Sequence, residues 1–279
     1  MQQYAPAGVA VWKTPTVDAK RNAIYFGTGD SETEPAAPTS DAVMALDMKT
    51  GKVLWTYQAQ QNDAWLGGCQ GAGKTDNCPD EMGPEWDIGN SPILRTLANG
   101  KRLLVAGTKN GDVFALDPDN GGAKVWRGNV SPTAPGQGPG RVSGILWGGA
   151  ADTSSAYYGL SGGGIVSVQL ATGERNWYTS FTASNGRRVS NAAATTAIPG
   201  VAFVGGTDGK LRAVSTANGN QIWETDTDRA FETVNRVPAH GGAMGAPGAT
   251  IANGMLFVGA GYAVMGGQAG NVLLAYSAR

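Results

Sequence analysis

Three places in this 279-residue chain hold residues that can do chemistry where a repetitive background gives no reason for them. Trp12 lies in the opening β run. Asp30 ends a Gly-Thr-Gly-Asp turn at 27–30, which is followed by a long polar insertion, SETEPAAPTS, at 31–40. Asp87 closes a Glu-Trp-Asp triplet at 85–87. A carboxylate so placed can act as an acid–base group, yet each feature taken singly also has a plain structural reading. An Asp after Thr-Gly serves turn hydrogen bonds, a Trp in a strand fills a core, and an Asp at a strand start is a solvated cap. The lone histidine, His240, cannot build a His-rich metal site and reads as a loop residue. Cys69 and Cys78 lie in a polar, Gly-rich loop. If they pair, the bridge stabilises by about 2.5–3 kcal/mol on the chain-entropy view and implies an oxidising compartment such as the periplasm. The alternative is two free thiols in a cytosolic protein.

The background that must position these residues is an internal repeat. Four windows run from a β stretch through a Gly-containing polar turn to a tryptophan: 45–51 before Trp55, 115–122 before Trp126, 168–173 before Trp177 and 213–219 before Trp223. Each unit is a small antiparallel sheet that cannot bury both faces alone, so units must stack about a common axis. The expected fold is therefore an all-β propeller, with the repeated tryptophans docking between neighbouring blades and their N–H groups finding backbone acceptors.

Alternating and β-branched runs bounded by Gly, Pro, Asn and Asp predict the strands. In the first unit they fall at 9–16, 23–27, 42–47 and 53–58, and in the second at 91–97, 103–107, 113–117 and 124–127. The third has 144–148, 156–159, 165–170 and 176–181, and the fourth has 192–198, 201–205, 211–215 and 221–225. A fifth unit has only 249–251, 255–259 and 272–276. Propellers commonly complete a short last blade with a strand from the other chain end, which removes exposed edges. The opening octapeptide is too short and polar for that, so the expectation is one partial propeller domain over 1–279, the C-terminal part of a longer ring, about five of eight blades.

Composition agrees. Gly, at 43 residues, is about double ordinary usage, as many tight turns require. A net charge of −1 without a basic stripe argues against nucleic acid, and no apolar run approaches a membrane span. The opening residues carry no charged, apolar, small-residue leader, so no signal peptide is expected in the chain itself.

Taken together, the motifs GVAVW at 8–12, AIYFGTGD at 23–30, EWD at 85–87 and GTKNGDVFALD at 107–117 resemble the pyrroloquinoline quinone (PQQ) dependent alcohol dehydrogenases, which are eight-bladed propellers. The stretches DAWLGGC at 63–69, NCP at 77–79, DIGNSPI at 87–93 and the tail 261–277 resemble the polyvinyl alcohol dehydrogenase branch. The similarity runs over essentially the whole chain and is specific at these motifs.

The resemblance implies that Trp12 stacks beneath the flat quinone and that Ca²⁺ makes a quinone carbonyl more electrophilic. It implies Asp30 as a Ca²⁺ ligand, at a position the family usually fills with Asn. Asp87 matches the general base that takes the alcohol proton as hydride passes from the carbinol carbon to the quinone, and Lys109 the cation that hydrogen-bonds the quinone oxygens. Without the motif, Lys109 would read as a surface residue in a Lys-Asn-Gly turn. The implied substrates are secondary alcohols, polyvinyl alcohol among them, the implied electron acceptor is cytochrome c or a substitute, and the implied location is the periplasm. The family's second Ca²⁺ carboxylate and its adjacent cysteine pair have no counterpart here, and no Cys-Xxx-Xxx-Cys-His haem motif is present. The rival expectation is a non-catalytic PQQ-repeat propeller acting as a scaffold or binding module. The co-occurrence of Trp12, Asp30, Asp87 and Lys109 favours the enzyme.

Overall fold

The computed structural model describes residues 7–131, 143–182 and 189–277. The chain divides into two compact units between Arg127 and Gly128. The first holds two antiparallel meanders in sequential order, β1 (Thr16–Asp18), β2 (Ala23–Gly27), β3 (Ala42–Asp47) and β4 (Val53–Gln58), then β5 (Ile93–Thr96), β6 (Arg102–Gly107), β7 (Asp112–Asp117) and β8 (Ala123–Asn129), whose end crosses the division. The second holds β9 (Gly149–Ala151), β10 (Ser155–Gly159), β11 (Ile165–Gln169) and β12 (Arg175–Thr179), then β13 (Thr196–Ile198), β14 (Val201–Gly205), β15 (Lys210–Ser215) and β16 (Gln221–Asp226). A short hairpin follows, β17 (Ala230–Phe231) with β18 (Ala239–His240), and then a three-stranded sheet, β19 (Thr250–Ala252), β20 (Met255–Ala260) and β21 (Val272–Ser277). These meanders are the blade units of a β-propeller.

The second, third and fourth strands of each sheet lie where the alternation predicts. Among the first strands, 249–251 falls at Thr250–Ala252, but 9–16 shrinks to Thr16–Asp18 and 144–148 gives way to Gly149–Ala151. Here the upstream backbone leaves its own ladder to bond neighbouring segments. The carbonyls of Ala7 and Ala10 accept from Glu32 and Gly29, that of Gly144 accepts from Ser161, and the Ala194 N–H donates to Ala246. Likewise, Ser91 and Ala192 stay outside the ladders of β5 and β13. His240, expected in a loop, is exposed in β18, a hairpin with no sequence signal beyond a few residues. The opening octapeptide lies mostly outside the described residues.

The repeated tryptophan occupies one register. Trp55, Trp177 and Trp223 pair with Ala45, Ser167 and Ala213, each beside a bulge after that partner. Trp55 stacks on Tyr25 with ring centroids 5.5 Å apart, and Trp177 on Tyr157 at 6.0 Å. Trp177 also donates its indole N–H to the Thr216 carbonyl at 3.0 Å, in the turn of the next sheet. Trp223 is 39% exposed and meets Tyr276 edge-on at 5.6 Å, so its docking is looser. In the first unit, Tyr25, Val43, Leu104, Phe114 and Leu116 form a core to which Trp55 and Tyr57 add.

Docking of this kind requires a glycine beneath the ring. A Cβ on Gly219, whose φ is +75°, would lie 2.5 Å from Trp177 Cε3, whereas one on Gly51, with φ +67°, would meet nothing within 4 Å. Gly219→Ala is expected to cost about 2–4 kcal/mol and Gly51→Ala only about 1–2 kcal/mol, read from urea unfolding. Equal losses would mean that the ring contact contributes nothing.

Candidate active site

Four segments of the first unit converge because each satisfies the backbone groups of another. The turn after β2 is held by Thr28, whose N–H donates to Ala42 O (2.9 Å) and whose hydroxyl donates to Thr39 O (2.7 Å). Asp41 N donates to Gly29 O at 3.0 Å, which sets Asp41 beside Asp30. The 85–88 segment is drawn in through Ile88 N to Thr28 O at 3.1 Å, and the Lys109 turn through Lys109 N to Asp87 O at 3.2 Å. A Cβ on Gly29 would come within 2.8 Å of Asp87 Oδ1 and 3.4 Å of Trp12 Nε1, so only glycine admits both groups.

The side chains complete the constellation. Asp87, 4% exposed, accepts the Asp30 N–H on Oδ1 at 2.7 Å and pairs with Lys109 Nζ through Oδ2. Lys109 Nζ also bonds Glu85 Oε1 at 2.5 Å and lies 5.0 Å from the centroid of the half-buried Trp12 ring. The four residues singled out in the sequence, Trp12, Asp30, Asp87 and Lys109, thus lie together in space.

Three further acidic residues belong to the arrangement. Asp41 is completely buried, and one carboxylate oxygen from each of Asp30, Asp41 and Asp87 lies within 4.8 Å of the other two. Both Asp41 oxygens and Asp30 Oδ1 are enclosed without a hydrogen-bond partner. Asp63, also buried, accepts the N–H groups of Glu85 (3.4 Å) and Trp86 (3.1 Å) on its carboxylate, while its carbonyl accepts from Ser31 at 3.4 Å. It therefore ties the Asp30 turn to the segment that carries Asp87, where Glu85 sits at a left-handed φ of +61°. Glu85 is the first residue of the Glu-Trp-Asp triplet, and its carboxylate steadies Lys109. Asp41 at a strand start and Asp63 beside an Ala-Trp pair have the look of ordinary caps. Only the unusual density of acidic residues before strand starts could have pointed to them. Between Asp63 and Glu85, Cys69 and Cys78 are joined, with Cα atoms 5.6 Å apart.

The electrostatics follow from burial. Desolvation, then the Asp87 carboxylate, push the Asp30 carboxyl up to about 9. Desolvation, then the charges of Asp63 and Asp87, push Asp41 up to about 8, and desolvation raises Asp63 as well. Burial alone would lower the Lys109 ammonium, but Asp87 and Glu85 outweigh it and hold it above its ordinary value. An all-oxygen set with unpartnered buried atoms fits a hard cation such as Ca²⁺, and an aromatic face beside an ammonium fits a flat polyanion.

Comparison with known proteins bears on the whole chain. A family model described as outer membrane protein assembly factor BamB, of the PQQ_2 type, matches residues 3–266. Polyvinylalcohol dehydrogenase of Pseudomonas sp is 40% identical over 99% of the chain and 45% of its own length, and that of Sphingopyxis sp. (strain 113P3) is 38% identical over 99% and 46%. The chain therefore spans about half the length of these curated relatives. Among solved structures, quinohemoprotein alcohol dehydrogenase from Comamonas testosteroni aligns with a TM-score of 0.62 at 17% identity, over 94% of the chain and 45% of that protein. BamB from Moraxella catarrhalis aligns with a TM-score of 0.53 at 15% identity, over 98% and 61%. These two support the propeller fold. Among the described residues no helix is long and apolar enough to cross a membrane.

The buried carboxyls make stability depend on pH. Asp30 and Asp41 keep their protons in the folded chain up to about 9 and about 8, against an ordinary value of 3.8. Between these limits the folded state holds protons that the unfolded state has released, so stability falls as pH rises from about 4 to about 8. A hard cation held by these carboxyls would displace those protons, so any stabilising effect of Ca²⁺ should grow across the same window. Thermal unfolding at a series of pH values with and without Ca²⁺ checks this; a Ca²⁺ effect independent of pH would count against these carboxyls as its binding groups.

Proposed function

The chain belongs to the PQQ-repeat β-propeller family, and on that premise we propose that it carries part of the active site of a quinoprotein alcohol dehydrogenase. The observation that carries this reading is the meeting of Asp87 with Asp30, Lys109 and Trp12 in one buried acidic cluster. The substrates we assign are secondary alcohols, with polyvinyl alcohol suggested by the names of the two relatives. The electron acceptor in this reading is cytochrome c or an equivalent, and the location is the periplasm. These assignments concern a complete protein of the relatives' length, within a single propeller domain to which this chain contributes.

Bound PQQ would supply the two-electron acceptor, and Ca²⁺ held by Asp30 and Asp87 would supply Lewis acidity. The chain's own residues do the rest. Asp87 takes the proton of the substrate hydroxyl; its carboxylate is fixed from both sides, by the Asp30 N–H and by Lys109, so one orientation is imposed before substrate arrives. Lys109, shared between Asp87 and Glu85, brings positive charge over the Trp12 ring, where quinone oxygens would gain from it. The Trp12 face excludes water on one side of that space.

A second reading, a non-catalytic scaffold, draws support from the description of the matching family model and the likeness to BamB. A scaffold has no use for buried, unpartnered carboxylates beside an ion-paired lysine, and the enzyme reading is preferred for that reason.

Titration of the purified chain with PQQ, followed by tryptophan fluorescence, is expected to give saturable quenching that needs Ca²⁺ and is lost in Trp12→Ala. In a protein of the relatives' full length, Asp87→Asn is expected to lower kcat for dye-linked oxidation of a secondary alcohol by at least about 10²-fold while PQQ stays bound. Retained turnover would remove Asp87 as the base.

A further inference from the structure

Asp41 has no part in the reaction described above, and its surroundings give it one. It directly precedes β3, its backbone is committed to Gly29 O and Ala59 N, and its φ is +48°. The side chain is completely buried, and neither oxygen has a hydrogen-bond partner. The nearest hydroxyl in sequence, that of Ser40, gives its hydrogen bond to Ala37 O at 3.0 Å. Lys109 is engaged with Glu85 and Asp87. What Asp41 does face is the pair Asp30 and Asp87, within 4.8 Å, one of whose oxygens, Asp30 Oδ1, is also enclosed and unpartnered. A side chain kept for packing would be apolar, and one kept for turn structure would be hydrogen-bonded.

We propose that Asp41 is a cation ligand, the third carboxylate of a site formed with Asp30 and Asp87. This rests on the reading that the site takes Ca²⁺, and it assigns the cation's affinity to three residues of this chain. Three carboxylates with no imidazole or thiolate select hard, oxygen-seeking cations over soft ones. Once a cation displaces their protons, their combined negative charge exceeds that of a divalent ion, so the chain is expected to bind the cation in the absence of the quinone.

The test uses Tb³⁺ as a luminescent probe of Ca²⁺ sites, excited through tryptophan, on the purified 279-residue chain. The wild type is expected to show saturable emission displaced by Ca²⁺. Asp41→Asn is expected to weaken both cations by at least about tenfold, as is Asp30→Asn, while the exposed Asp76→Asn binds like wild type. Thermal unfolding separates a ligand from a structural residue. In Asp41→Asn the midpoint without cation should hold or rise, because a buried carboxyl with no hydrogen-bond partner is replaced by an amide that does not ionise, and the Ca²⁺-induced shift should shrink. Asp41→Ser, which is smaller, repeats the test if the amide packs badly. Wild-type binding by Asp41→Asn alongside weak binding by Asp30→Asn would overturn the assignment of Asp41 and leave the cation site standing. Absence of Tb³⁺ and Ca²⁺ binding by the wild-type chain would overturn both.

Discussion

Every buried peptide group must find a partner, and in this chain the segments that enter each sheet find theirs outside their own ladder. Residues 7–10 bond the 29–32 turn, Ile88 bonds Thr28, and Lys109 bonds the Asp87 carbonyl. A regular first strand would have used those groups within one sheet and left its side chains alternating between two faces. Because the segments cross instead, side chains far apart in sequence are carried to one place on backbone that cannot shift without losing hydrogen bonds. Asp30, Asp41, Asp87 and Lys109 owe their meeting to this exchange, and Asp63 reinforces it by accepting two N–H groups of the 85–86 segment.

The second, third and fourth strands of the four-stranded sheets are legible in the sequence because three independent signals coincide there: alternation, a glycine turn, and a tryptophan following it. The first strands are misread for a physical reason. A β-prone run such as 9–16 is extended in either case, and composition does not say which backbone it will bond. The same blindness divides the acidic residues. Asp30 and Asp87 stand out because they interrupt a repeat, one followed by a long insertion and the other in a triplet of its own. Asp41 sits where a blade's third strand begins, a place at which a single Asp is unremarkable, and its meeting with Asp30 and Asp87 is a fact of three dimensions. Lys109 is intermediate, since its Lys-Asn-Gly turn is ordinary and only the longer motif around it marks it out.

The cluster is held in tension. Asp30, Asp41, Asp63 and Asp87 bring negative charge into a desolvated space, and the paired cation is a lysine already shared with Glu85. Desolvation opposes ionisation of Asp30 and Asp41, whereas Asp87 is stabilised by a backbone donor and the ammonium. Carboxylates of one kind are thus given different partners by position alone.

The 28–41 connection between β2 and β3 is far longer than 160–164 between β10 and β11 or 206–209 between β14 and β15, yet all three sheets keep the same bulge and the same partner for their tryptophan. Length added at that end of a sheet is absorbed before it reaches the β3–β4 register. The insertion can therefore bring Asp30 and Asp41 to one place without disturbing the packed foundation beneath it.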